Sequence, residues 1–361
     1  MNDLFTSLGM PPPLTVERMQ VTANFHTIYM VQFDSSSSLG PFILRLSGSQ
    51  IPRIKSTNEV ATMKWLAENT TIPVPTIVRY DVTDENPIGR EYTLLECIPG
   101  CSVDRMYSSM SEKAKRHLVE QLADMLIQLN SVEWKHVGGL SMDGDGHVVP
   151  GRLLEDTFWM GPDMEEIWPR ESFDRLNPQG PFDSHADFAE AYLQCAIHGI
   201  SVHPTLSWLA DLVPRIRNLI ALLPTLTSLC RSRLILAHKD LHHANIMALP
   251  DGTVTAILDW EFAGVVPALR WDPVRAFLHP WTDEDPAVQT KEKERMWRFF
   301  EQVLERKGVK RWWEAEKEVE DVWTVVTHCR ALVDVCPRGA KGGKIAGWRA
   351  KIEKAMTHLG V

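Results

Sequence analysis
None of the six cysteines is spaced C-x-x-C from another. That argues against a zinc site or a disulfide framework and fits a reducing, cytoplasmic compartment. No apolar run approaches the roughly 20 residues that a bilayer-spanning helix needs, so no membrane partner is expected. The opening MNDLFTSLGMPPP has no basic n-region and no apolar h-region, and no signal peptide is expected from it. Basic residues are in deficit, 38 Lys and Arg against 47 Asp and Glu, a formal charge of −9. This speaks against the basic footprint of a nucleic-acid binder. The acidic balance suits a cationic substrate but is common among enzymes. There is no internal repeat, and the one low-complexity patch, Ser35–Ser38, reads as a turn. A chain of 361 residues is long enough for one large domain or two lobes.

What is present centres on HKDLHHAN, residues 238–245. A short apolar run, Leu234 to Leu236, leads into it. His238, Asp240 and Asn245 then stand in the spacing H-x-D-x-x-x-x-N, and a turn follows at Pro250-Asp251-Gly252. Residues 253–258, rich in β-branched side chains, form an expected strand that delivers Asp259 at its end. Phosphoryl transfer to a hydroxyl needs a carboxylate to orient the hydroxyl and accept its proton, and Mg²⁺ to neutralise charge on the triphosphate. Mg²⁺ prefers oxygen ligands. Asp240 is the candidate base, Asn245 and Asp259 the candidate metal ligands, and His238 a packing residue that holds the loop.

HKDLHHANIM followed by ILDWEFAGVVP resembles the aminoglycoside phosphotransferase/choline kinase-like family, in particular its fungal small-molecule kinase homologues. TIPVP at residues 71–75 and NPIGREYTLLECIPG at 86–100 resemble it as well. The resemblance implies an α+β, protein-kinase-like fold: a β-rich N-lobe, expected over 1–98, and a mostly helical C-lobe, expected over 99–361. ATP is implied between them, with Mg²⁺ and a small-molecule acceptor. It also implies that backbone groups of the hinge meet the purine, the Glu96 carbonyl and the Ile98 N–H. Asp272 is implied to brace the catalytic loop; a helix N-cap is its competing role. No family motif is recognised over 150–230.

In the N-lobe, Gln20–Phe33 and FILRL at 42–46 read as strands. Between 22 and 27 the chain departs from the family pattern. A phosphate-covering loop uses glycines so that N–H groups approach closely, and Thr-Ala-Asn-Phe-His-Thr has none. Asn24, which tolerates unusual φ, is the candidate substitute. Arg45 stands where a kinase has its phosphate-binding lysine. A helix from Ser56 carries Glu59, which either completes a capping box with Ser56 or pairs with Arg45, as the resemblance implies. Arg45 and Glu59 together would position the triphosphate.

Further on, Leu118, Leu122, Met125, Leu126 and Leu129 mark a core helix. Asp143-Gly144-Asp145-Gly146 lacks the further ligands of a calcium loop and reads as a hairpin tip. Acidic and aromatic residues interleave over 153–192, among them Glu155, Asp156, Asp163 and Asp174. They would suit an amine-bearing acceptor or form an ordinary amphipathic surface. The basic residues 341–359 read as a packing helix or a docking face. A protein kinase is disfavoured, since no A-P-E-like segment follows Asp259. A nucleotide-binding pseudokinase stays open as the alternative function, and the acceptor and oligomeric state stay open too.

Overall fold
β-Branched and aromatic alternation in the first hundred residues becomes a five-stranded antiparallel sheet, in a computed structural model that describes residues 1–21, 25–273 and 285–361. The strands are β1 (Thr15–Arg18), β2 (His26–Gln32), β3 (Phe42–Ser47), β4 (Ile77–Asp81) and β5 (Tyr92–Glu96), in the order β1-β2-β3-β5-β4. Within the run expected as strand from Gln20 to Phe33, β2 starts at His26, and it pairs with β1, which precedes that run. The central pair β3–β5 sets Leu44 opposite Leu94, both fully buried. Period-two alternation then sorts the two faces. Leu44, Leu46, Tyr92 and Leu94 pack with Leu4 and Phe5 of the N-terminal helix Asn2–Ser7. Arg45 stands on the opposite face, with Ile43 and Leu95.

That face meets the Ile54–Asn69 helix. The helix starts two residues before the expected capping box, and its first turn is tied by Glu91 instead. The Ser56 hydroxyl donates to Glu91 Oε2 (2.5 Å) and the Arg53 N–H to Glu91 Oε1 (2.7 Å). Glu59 is thereby free of capping and points to Arg45. The chain leaves the sheet at Glu96, and Cys101–Ser102 already pairs with Ile246–Ala248 of the other lobe.

The C-lobe is built on helices Glu112–Ser131, His185–Val202, Pro286–Arg306, Lys317–Val335 and Gly343–His358. In the first, Leu118, Leu122, Leu126 and Leu129 are buried as the helical spacing requires, and Ser111 Oγ accepts the Ala114 N–H at its N-terminus. Asp143–Gly146 is the tip of the hairpin Gly139–Met142/Val148–Gly151, where the Asp143 carboxylate accepts the Asp145 and His147 N–H groups. The C-terminal helix buries Ile352, Ala355 and Met356, and Arg215 donates to the Val361 carbonyl. Its apolar side is thus packed against its own chain. Among the described residues no helix is long and apolar enough to cross a membrane.

Candidate active site
The strand Leu234–Ala237 is buried along its whole length and delivers His238, which has no exposed surface. His238 Nε2 donates to the Leu258 carbonyl (2.7 Å) and Nδ1 accepts the Asp240 N–H (3.3 Å). Burial pushes its pKa down, so the ring stays neutral and keeps both bonds. Asp240 projects beyond it with its side chain about half exposed, and Oδ2 lies 3.6 Å from His242 Nε2. Asn245 closes the loop, its amide donating to the Asp240 carbonyl (3.0 Å) while its own carbonyl accepts the Leu258 N–H (2.8 Å). The hairpin Ile246–Ala248/Val254–Ile257 brings Asp259 back beside Asn245. Lys239 and Asp259 both have φ +67°. That left-handed backbone costs a non-glycine residue roughly 1–2 kcal/mol and tends to gather at functional sites.

From the N-lobe, Arg45 reaches Asp259 directly, Nη2 to Oδ1 at 2.8 Å. The same nitrogen donates to His26 Nδ1 (3.1 Å), and Nη1 binds Glu59. Burial works against the Arg45 charge, but Glu59, Asp259 and Glu261 outweigh it and hold the guanidinium ionised. Because an arginine can only donate, His26 Nδ1 accepts and the ring is neutral. Burial and the nearby Arg45 and Lys55 charges lower its pKa far below the usual range. Beside this lies a second ion pair. Lys55 Nζ is 2.8 Å from Glu261 Oε2, and both side chains are almost fully buried. Burial, then the neighbouring Asp259, raises the Glu261 carboxyl to about 7. Asn58, one helical turn on, donates to the Glu261 and Ala263 carbonyls (2.9 Å each) and accepts the Leu140 N–H (2.6 Å). Gly139 permits this approach, since a Cβ there would lie 2.6 Å from Asn58 Oδ1. Asn58→Ala would orphan three buried backbone groups, and roughly 3 kcal/mol of stability should be lost. A denaturation midpoint unchanged from the parent would refute that role for Asn58.

The donors suit magnesium. His26 Nδ1 and the carboxylates of Asp259 and Glu261 lie within 4.8 Å of one another. Oxygen atoms are what a hard cation selects, whereas His26 Nδ1 is already engaged by Arg45.

Several of the acids of 153–190 are paired. Asp163 binds Arg338, Asp174 binds Arg152, Glu171 meets His198, and Asp187 bonds Ser184. Burial works against an ionised Glu155, but Lys239 and Arg330 hold its pKa down. Asp156 differs. Burial, then Glu155, raises its pKa, and Asp240 adds to the effect.

Other expected positions fall variously. Asn24 lies outside the described residues. Glu96 ends β5 with its N–H on the Thr76 carbonyl, and Ile98 is half-buried in the crossing to the C-lobe. Asp272 is exposed, and residues 274–284 after it lie outside the described set. His26, Lys55, Asn58 and Glu261 join the site without having been singled out from the sequence. Lys55 and Glu59 are spaced i, i+4, the signal that both share one face of a helix. Glu261 stands two residues after Asp259.

A sheet-built N-lobe on a helical C-lobe, with a loop carboxylate below a buried cation pair, is the protein-kinase-like fold of small-molecule phosphotransferases. Residues 27–307 match the model of the phosphotransferase enzyme family, named APH, and the chain belongs to that family. A solved aminoglycoside phosphotransferase, APH(4)-Ia, in ternary complex with AMP-PNP and hygromycin B, has the same fold. Its TM-score is 0.51 at 12% identity, over 98% of this chain and 96% of that one. The Clavilactone A biosynthesis cluster protein Y of Ampulloclitocybe clavipes is 29% identical over 243 residues, 64% of this chain and 55% of that protein. A subtelomeric hrmA-associated cluster protein of Aspergillus fumigatus is 31% identical over 130 residues, 35% of this chain and 25% of its own. The chain thus spans about half the length of the first of these two relatives and a quarter of the second.

Proposed function
We propose that this chain is an ATP- and Mg²⁺-dependent kinase that acts on a hydroxyl of a small molecule in the cytoplasm. The observation that carries this is the loop from Asp240 to Asp259. One residue, Asn245, hydrogen-bonds to the backbone at both ends of it, so the half-exposed Asp240 carboxylate and Asp259 hold one geometry. Asp240 orients the acceptor hydroxyl and takes its proton. Asn245 and Asp259 hold the metal, which when bound neutralises charge on the phosphates. Arg45 and Glu59 position the triphosphate, the Glu96 carbonyl and Ile98 N–H face the purine, Asn24 is the candidate substitute for a phosphate-covering glycine, and His238 and Asp272 support the loop. An amine on the acceptor would pair with Asp156.

A nucleotide-binding pseudokinase is the second reading, and the Arg45–Asp259 bond favours it, because it occupies a metal oxygen. Consumption of ATP or GTP against a panel of amino alcohols, sugars and aminoglycosides separates the two. Acceptor-dependent release of ADP supports the kinase; nucleotide binding with no turnover on any acceptor supports the pseudokinase.

The Arg45–Glu59 pair gives a narrower test. Glu59→Gln removes one charge from a nearly fully buried partner of Arg45. A charge-assisted bond contributes about 1.5–3 kcal/mol, so KM for ATP should rise about tenfold or more with little change in KM for the acceptor. A lower melting temperature with unmoved KM for ATP would reduce Glu59 to a structural residue.

A further inference from the structure
We propose that Lys55 is a second phosphate-binding cation of this site, held on Glu261 until a nucleotide arrives. This rests on the reading of the cleft as a nucleotide site and adds a residue to it. Three observations lead there.

The first is position. Lys55 and Glu59, four residues apart, occupy one face of the Ile54–Asn69 helix, and both are buried. Glu59 takes Arg45 from β3, and Lys55 takes Glu261 from the metal loop. The Lys55 ammonium is also 3.5 Å from the Phe25 carbonyl and 5.2 Å from the centre of the Phe25 ring. Phe25 stands directly before β2, so Lys55 lies beside the start of that strand.

The second is need. A covering turn without glycine cannot bring successive N–H groups close to phosphate oxygens. Arg45 is already shared among Glu59, His26 and Asp259. A triphosphate needs more positive charge than one such guanidinium supplies, and Lys55 is the other ammonium within this cluster among the described residues.

The third is energetic. Lys55 is 1% exposed. A buried Lys–Glu pair adds little net stability over an apolar pair of the same volume, because desolvation offsets the attraction. Arg45 and Lys55 are thus packed with three carboxylates, those of Glu59, Asp259 and Glu261. Holding each metal-loop carboxylate on its own cation lets this acidic cluster exist before metal and nucleotide enter.

The test is a set of affinities read by calorimetry, with Mg·AMP-PNP, ADP and AMP as probes. The variants are Lys55→Met, Lys55→Arg, Glu261→Gln and the double variant K55M/E261Q. Lys55→Met should weaken Mg·AMP-PNP about tenfold or more, the scale of one charged hydrogen bond. It should weaken ADP less and leave AMP unchanged, and Lys55→Arg should keep most of the affinity. The loss must persist when Lys55→Met is introduced into Glu261→Gln, where no buried carboxylate is left unpaired. That background also keeps the comparison available if Lys55→Met alone fails to fold. An equal loss on AMP and AMP-PNP, or a loss that vanishes in the Glu261→Gln background, would make Lys55 a structural partner of Glu261 and overturn the proposal. A parent protein that binds none of the three nucleotides overturns the nucleotide site itself, and this inference with it.

Discussion

Asp240→Asn is expected to lose about 10²–10⁴-fold in phosphoryl transfer, the usual contribution of a positioned general base, and to bind Mg·ATP at least as well as the parent. The asymmetry comes from geometry. Asp240 is held by its backbone, through the His238 ring and the Asn245 amide. Its carboxylate is half exposed at the mouth of the loop. Asparagine keeps the shape and leaves those backbone bonds in place. It loses the basicity and one negative charge near the triphosphate, which should tighten nucleotide binding slightly. Calorimetry gives the affinity, and phosphorus NMR gives product formation on an acceptor found in the panel. Equal transfer rates in parent and variant would remove Asp240 from the mechanism. A parent that binds Mg·ATP and transfers to no acceptor would favour the pseudokinase.

Asp259→Ala should lower turnover by at least about 10³-fold, at the upper end of what removal of one preorganised electrostatic group costs. It should also abolish the dependence of nucleotide binding on Mg²⁺. Folding should survive, because Arg45 keeps Glu59 and His26 and because Asp259 is partly exposed. Alanine tolerates a φ of +67° less well than aspartate does, so a further loss of about 1 kcal/mol is expected. Melting curves beside titrations with and without Mg²⁺ read both effects. Normal turnover in this variant would sink the assignment of Asp259 to metal.

The catalytic loop was legible because its chemistry is local. Asp240, Asn245 and Asp259 lie within twenty residues, and a hairpin of predictable type joins them. The N-lobe was legible in most of its strands, but β1 at Thr15–Arg18 was not, because it lies ahead of the run from Gln20 that reads as a strand. Glu59 had two plausible jobs from sequence. The choice was made by Glu91, thirty-two positions away, which takes over the first turn of the helix. Lys55 looked like any lysine at the start of a helix, because its partner Glu261 is two hundred residues on. The acids of 153–190 show the same limit in reverse. Composition suggested a cation-binding face, and long-range pairing with Arg338, Arg152 and His198 takes Asp163, Asp174 and Glu171 out of it. Local spacing reveals what a residue can do; whether it is already engaged depends on contacts that only the folded chain supplies.

The Ile54–Asn69 helix belongs to the N-lobe by sequence, yet its bonds run both ways. Glu91 and Arg45 fasten it to the sheet. Asn58, Lys55 and Lys64 fasten it to the Gly139–Gly151 hairpin and to the segment after Asp259. A rigid rotation of one lobe away from the other would have to strip the bonds on one side of this helix together, at about 1 kcal/mol or more for each. Thermal fluctuation therefore opens the molecule by its weaker parts first. The bonds on both sides of this helix hold the sheet and the Gly139–Gly151 hairpin at one spacing.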